Sequence, residues 1–294
     1  MSTFGSLIDD TILQLSGYSA GQDQSTPLTV FLGPEDTTIT VSDVTQMSRG
    51  VAEIDQEIVY IESVDPGSST ATVTRAYRST TATSHLVGAR VTMSPLFFRY
   101  SVAKAINETI ASVYPLLYAV GTTTFTANGS QNTFELPTGA ESVLDIKWQT
   151  VGPTQEWVPI RRWSADGNAN TDAFASGVTV SVFDPVPSGR TIQVVYTKQP
   201  ELFDDDEDAV FSNTGLPASC EDVVRLGACW RLVTFLDIPH FAGLSAEADF
   251  AANNRQAGAV AGQARFLMQQ FQVRLNEEAG RLNSQYPPRV HFTN

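Results

Sequence analysis

The spacing of apolar residues changes period several times along the chain. Between residues 4 and 18, Phe4, Leu7, Ile8, Ile12 and Leu15 recur three or four apart, the spacing of one helix face, and Gly17 is placed to stop it. From about 28 to 95 the period shortens. Thr37–Val41 alternates, and Ile58–Ile61 and Ala71–Thr74 are β-branched or aromatic. Turn signals at Gly33-Pro34, Ser48-Arg49-Gly50 and Asp65-Pro66-Gly67 separate these runs. About five short strands in so short a stretch predict a small barrel or sandwich. A helical period returns over Phe97–Leu117, with Phe98, Val102, Ala105, Ile106, Ile110, Val113 and Leu117 in one stripe and Pro115 placed to kink or end it.

Residues 121–199 read as β again, with strands expected at Thr122–Thr126, Thr133–Leu136, Val143–Trp148, Glu156–Arg161, Thr179–Phe183 and Thr191–Thr197. Asn128-Gly129 is a hairpin signal. From about 217 the period is helical. Ser219 is placed as N-cap, with Glu221 and Asp222 in the first turn. A last helix over about 257–284 carries Val260, Ala264, Leu267, Phe271, Leu275, Ala279 and Leu282, before Pro287-Pro288 and a short tail.

No helix in this order can bury its stripe alone. The expectation is therefore an α+β fold: a helical bundle assembled from N-terminal, middle and C-terminal helices (residues 1–26, 96–120 and 215–286). Two inserted antiparallel β modules would hang from it, a small β-barrel at 27–95 and a β-sandwich at 121–203, with a C-terminal tail at 287–294.

Charge narrows the partners. The chain carries 32 acids against 18 Lys plus Arg, a net of −14, and only Lys104, Lys147 and Lys198 are lysines. Such a chain does not grip phosphates through counterion release, so sequence-specific DNA binding is a poor expectation, whereas an acidic wall past which DNA slides is compatible. The C-terminal stretch departs from this balance, with Arg265, Arg274, Arg281 and Arg289 against Glu277 and Glu278. The start of the chain shows neither the basic nor the apolar region of a signal peptide, and no stretch is long enough to span a membrane, so a cytosol-like compartment is expected. Cys220 and Cys229, nine residues apart on a helix, would be about 13 Å apart along its axis, too far for a disulfide. They read as small buried residues.

Chemistry-bearing patterns are sparse. His85, His240 and His291 have no partner at metal-ligand spacing, and no phosphate loop, dinucleotide fingerprint or nucleophile elbow occurs, so neither cofactor nor metal nor catalytic residue is expected. His85, close to Gly88, reads as a turn histidine bonded to backbone. Asp204–Asp208 lacks the ligand alternation of a calcium loop and reads as a solvated loop. Asp9-Asp10 reads as a wet helix face. Trp148, Trp157 and Trp163 suit core packing or subunit contact better than a sugar platform.

Three stretches carry a resemblance. Gly50–Ile61 followed by Val73–Val91 resembles the small β module recurring in tailed-phage structural proteins. The matching positions include Glu57, Tyr60, Arg75, Tyr77, Thr80, His85 and Gly88. Where that module has Arg-Gly and Gly-Thr, this chain has Arg75-Ala76 and Ser79-Thr80, residues that tolerate positive φ less well. With Thr214–Arg225, Phe241–Phe250 and the order of elements, the whole chain resembles a head-to-tail connector (adaptor) protein of tailed bacteriophages. The resemblance implies a structural protein of the virion neck, assembled in the host cytoplasm. It implies a homo-oligomeric, commonly dodecameric, ring beneath the portal protein, extending the DNA channel and docking stopper or tail-terminator proteins, with no membrane. It also implies that Arg289, Val290, His291 and Phe292 contact the portal, while Arg274 and Arg281 could touch DNA or portal. The competing classes are another virion component, such as a baseplate or glycan-binding host-recognition protein, and a cell-wall hydrolase, for which no carboxylate pair stands out.

Overall fold

The computed structural model describes residues 2–18, 23–129, 131–152, 155–234 and 259–287. Its first helix, α1 (Phe4–Leu15), starts at Thr3, whose hydroxyl accepts the Ser6 N–H at 3.2 Å while the Ser6 hydroxyl accepts the Thr3 N–H at 2.9 Å. This reciprocal cap satisfies two N–H groups that a helix start leaves open. The next two N–H groups go further afield: Phe4 donates to Ala209 O and Gly5 to Glu207 O. The acidic loop is thereby docked by its backbone against the start of α1.

Six strands follow: β1 (Gln24–Pro27), β2 (Thr38–Thr40), β3 (Gly50–Ile54), β4 (Glu57–Asp65), β5 (Thr70–Thr74) and β6 (Arg90–Met93). They pair antiparallel in the order β1-β6-β3-β4-β5-β2. The sheet curls into a half-barrel because its two outer strands meet: Thr29 donates to Thr40 O at 2.9 Å and Ser42 to Pro27 O at 3.1 Å. Inside lie Leu28, Leu32, Ile39, Ala52, Ile54, Val59, Ile61, Val73 and Val91.

After α2 (Arg99–Val113) come β7 (Ala119–Thr126), β8 (Thr133–Glu135), β9 (Ala140–Gln149), β10 (Trp157–Pro159), β11 (Trp163–Asp166), β12 (Thr179–Val182) and β13 (Thr191–Lys198). They form two antiparallel sheets, β10-β9-β13-β7 and β11-β12-β8. One core, with Phe134, Ile146, Trp163, Val180, Ile192 and Val194, is drawn from both. The Asn128-Gly129 signal does make a turn, closed by the Gln131 N–H on Asn128 O. It does not make a hairpin, however, since β7 and β8 lie in different sheets. The turn instead passes the chain from one sheet to the other.

The remaining helices among the described residues are α3 (Glu221–Thr234) and α4 (Ala259–Gln285). Ser219 does not cap α3; its hydroxyl reaches Glu278 on α4 at 2.6 Å, and a short 3-10 turn over Ala218–Cys220 leads in from Pro217. Helices α1, α2, α3 and α4 share one apolar cluster with Phe203, Phe211, Leu216 and Tyr118 from connecting segments. Phe203 stacks on Phe4 with ring centroids 4.4 Å apart. Cys220 and Cys229 are free and buried in this cluster, and burial pushes both thiols up to about 12.

The expected α+β helical bundle carrying two inserted modules is therefore corrected. The protein is mainly β. Thirteen strands in three antiparallel sheets stand against four α-helices among the described residues. Of the three apolar cores among the described residues, two are built within the β regions, from strands and the segments joining them. The helices do not bury their stripes only against one another, because loop aromatics fill the same cluster. Helical periodicity is conspicuous in sequence, whereas short strands such as β1, β6 and β11, with three or four residues of pattern each, are not. Among the described residues no helix is long and apolar enough to cross a membrane.

The tightest helix contact is at Gly227. A Cβ there would lie 2.3 Å from Thr109 Cγ2 on α2 and 2.9 Å from Phe271 Cε2 on α4. Gly227→Ala would gain about 1 kcal/mol of helix propensity but overpack a three-helix crossing at a typical cost of about 1–3 kcal/mol. A lowered thermal unfolding midpoint is expected; an increase would show that the crossing relaxes freely.

Candidate functional site

Glu57 opens β4 with its side chain inside the half-barrel and no exposed surface. A bare carboxylate there would be costly, and five donors meet it. Arg75 closes a fork on it, Nε to Oε1 at 2.8 Å and an Nη to Oε2 at 2.7 Å. His85 Nε2 lies 2.9 Å from Oε2, and the Ala76 and Thr83 N–H groups complete the set at 3.0 and 3.1 Å. Burial alone would push this carboxyl up. The Arg75 fork, His85 and the two N–H groups outweigh it and hold it at about 2.

The same donors tie distant segments. Arg75 also donates to Gly33 O, Asp36 O and Thr83 O. His85 Nδ1 lies 2.7 Å from Asp55. Burial opposes the charged ring, yet the two carboxylates prevail and its pKa is raised. The reading of His85 as a turn histidine bonded to backbone is thus corrected: its ring lies between two carboxylates, and its own backbone pairs with Leu32. Thr80 accepts the Ile58 N–H at 3.2 Å and donates to Tyr77 O. Tyr60 and Tyr77 bring their rings to 5.4 Å, and Gly88 has φ +93°. All seven motif residues therefore lie in or beside one structural knot. Ala76, Arg78 and Ser79 take φ of 53°, 55° and 64°, the left-handed conformation that glycine adopts at least cost.

A second charged group joins the half-barrel to the helices. Arg99, the first residue of α2, pairs with Asp9 on α1 and with Glu207 of the acidic loop, and Gln56 donates to the same Glu207 at 3.1 Å. Glu207 is thus a partner of three segments and not part of a freely solvated run, while Asp204 and Asp205 are exposed as expected. Asp9 is likewise engaged by Arg99, and Asp10 lies 3.9 Å from Arg225.

On α4, Arg274 pairs with Asp222 of α3 at 2.7 Å and with Glu277 and Glu278 of its own helix; Asp222 and Glu277 raise its pKa. Arg281 is more exposed and lies 3.6 Å from Glu278. Arg289, Val290, His291 and Phe292, with Phe241–Phe250 and His240, lie outside the described residues. The three tryptophans do not share a face. Trp163 is buried in the core the two sheets share, whereas Trp148 and Trp157 sit on adjacent strands one register step apart, so their side chains leave opposite faces. Among the described residues no group of His, Cys, Asp and Glu could hold a metal ion.

The ionisable groups this fold gathers are spent on one another, holding strands, loops and helices in place, as in a structural protein. Residues 81–285, more than half of the chain, match the family of the SU10 adaptor protein, and the chain belongs to that family. It is a family of structural phage adaptors. No curated protein matches the chain. The match runs from within the knot, at Thr81, to the end of α4.

Two outcomes check the knot. Glu57→Gln leaves Arg75 buried with half its fork unmet and is expected to cost about 3 kcal/mol in denaturant unfolding. Because Glu57 is held at about 2, below the usual 4.5, its contribution is present above pH 4.5 and is lost as pH falls towards 2. The variant's stability curve should run flatter in that window, and parallel curves would contradict the assignment. Separately, Ala76→Gly and Ser79→Gly should each stabilise the protein or leave it unchanged, since relief of about 1 kcal/mol of left-handed strain is offset by glycine's unfolded-state entropy. A clear loss of stability would contradict this.

Proposed function

We propose that this protein is a head-to-tail adaptor that assembles as a homo-oligomeric ring beneath the portal, lengthens the DNA channel and presents a platform for stopper or tail proteins. The observation that carries this reading is the extent of the family match, which takes in α2, both sheets of the second β region, α3 and α4. The charge balance supports it. At −14 per copy, a ring wall repels a passing duplex instead of binding it. The networks around Glu57 and Arg99 support it too, because they make a stiff subunit of the kind a load-bearing ring needs. Arg289, Val290, His291 and Phe292 are the proposed portal contacts. The last helix ends at Gln285, two residues before Pro287. Arg274 is engaged with three acids, which leaves the more exposed Arg281 as the better placed of the two for an outside partner.

Mass measurement of the purified protein, alone and mixed with its portal, tests the ring. A discrete multimer on the portal is expected, and a stable monomer under both conditions would overturn the reading. Removing residues 287–294 should abolish portal attachment while the thermal unfolding midpoint stays unchanged. Undiminished attachment would remove the tail from the joint.

A further inference from the structure

The half-barrel and the helices have separate apolar cores with no residue in common. Hydrogen bonds cross between them, from Gln56 to Glu207 and from the Arg99 N–H to Glu53. Glu53 sits on β3, opposite Thr92 and Ile58, with only 6% of its surface exposed. Its Oε2 accepts the Arg99 backbone N–H at 2.8 Å. The N-cap of α2 is Phe98, which has no side-chain oxygen to offer. The cap of α2 therefore comes from a different element, across the joint.

We propose that Glu53 is the latch of a pH-sensitive joint. As the neutral acid it seats the half-barrel on the first turn of α2; as the carboxylate it draws water into the joint and frees the half-barrel to shift against the helices.

The geometry supplies the reason. A buried carboxylate needs several donors, as Glu57 has, and the one hydrogen bond described for Glu53 is that from Arg99 N–H. The guanidinium of Arg99 is turned away to Asp9 and Glu207. The other charges near it have the wrong sign: Asp23 ahead of β1 and Asp55 in the β3–β4 turn. Asp55 is itself held by His85. Burial, with those two acids adding to it, outweighs Arg99 and pushes the Glu53 carboxyl up to about 7. Because this lies above the unfolded value of 4.5, the stabilisation is complete below pH 4.5 and is lost as pH rises through about 7. His85, also raised, loses its contribution in the same direction, so global stability alone does not separate the two. A local readout does.

The test is hydrogen exchange at the backbone amides of residues 97–102 in the full chain, corrected for intrinsic pH dependence, between pH 5.5 and 8.5. In the wild type, opening of the joint should become roughly tenfold easier per pH unit between pH 5.5 and about 7, so that protection falls over that interval and levels off above it. Glu53→Gln, which keeps the acceptor and removes the charge, should hold protection at its pH 5.5 level throughout. Equal pH responses in wild type and Glu53→Gln would overturn the proposal, as would a response abolished by His85→Gln instead. Should Glu53→Gln fold poorly, the side-chain carboxyl ¹³C titration of the wild type decides: a Glu53 midpoint near 7 supports the latch, and one near 4.5 refutes it.

Discussion

Arg99 stands where four parts of the chain meet, and its two ends do different work. Its guanidinium joins α1, through Asp9, to the acidic loop, through Glu207, while its backbone N–H takes the carboxyl of Glu53 from the half-barrel. Apolar cores set no angle between themselves when they share no residue; directional bonds must do so. Here those bonds converge on the first turn of one helix. Burial of the guanidinium lowers its pKa, but Asp9 and Glu207 prevail and raise it, so Arg99 remains a cation throughout the range in which the acids around it titrate. The placement of the half-barrel thus depends on a charge that does not change and on carboxyls that do.

Within the half-barrel the governing constraint is electrostatic of another kind. Glu57 is fully enclosed, and the segment from Arg75 to His85 is bent to bring donors to it. Three left-handed residues within four, none of them glycine, Ala76, Arg78 and Ser79, are the conformational cost of that bend. The strain is tolerated because the carboxylate over-determines the loop: releasing the loop would take Arg75, His85 and two N–H groups away from a buried negative charge.

Much of this was legible in the sequence. The helices fall close to where their periodicity puts them, because stripes such as Ile106–Ile110–Val113 and Leu267–Phe271–Leu275 are long enough to define a face. The prominence of those stripes also misled: they suggested a bundle as the frame, when the strands outnumber the helices and enclose cores of their own. Glu57, Arg75 and His85 stood out as members of a pattern, but their pairing did not, since 18 and 28 residues separate the two cations from the acid. Glu53, Arg99 and Glu207 carried no signal. Their link is long-range, and a single acid in a strand looks in sequence like any solvent-facing residue. The one available hint was negative, an apolar Phe98 at the cap position of a predicted helix.

The two thiols bear on the life of a phage component outside the cell. A virion leaves a reducing cytosol for air-saturated water and has no repair chemistry with it. Thiolate, not thiol, is the form that oxidants attack, and at neutral pH a thiol pushed up to about 12 is almost entirely protonated. Cys220 and Cys229 are also sealed in the helical core. Neither thiol is therefore poised for oxidation or for disulfide formation, and the packing in which both residues sit needs no particular redox environment.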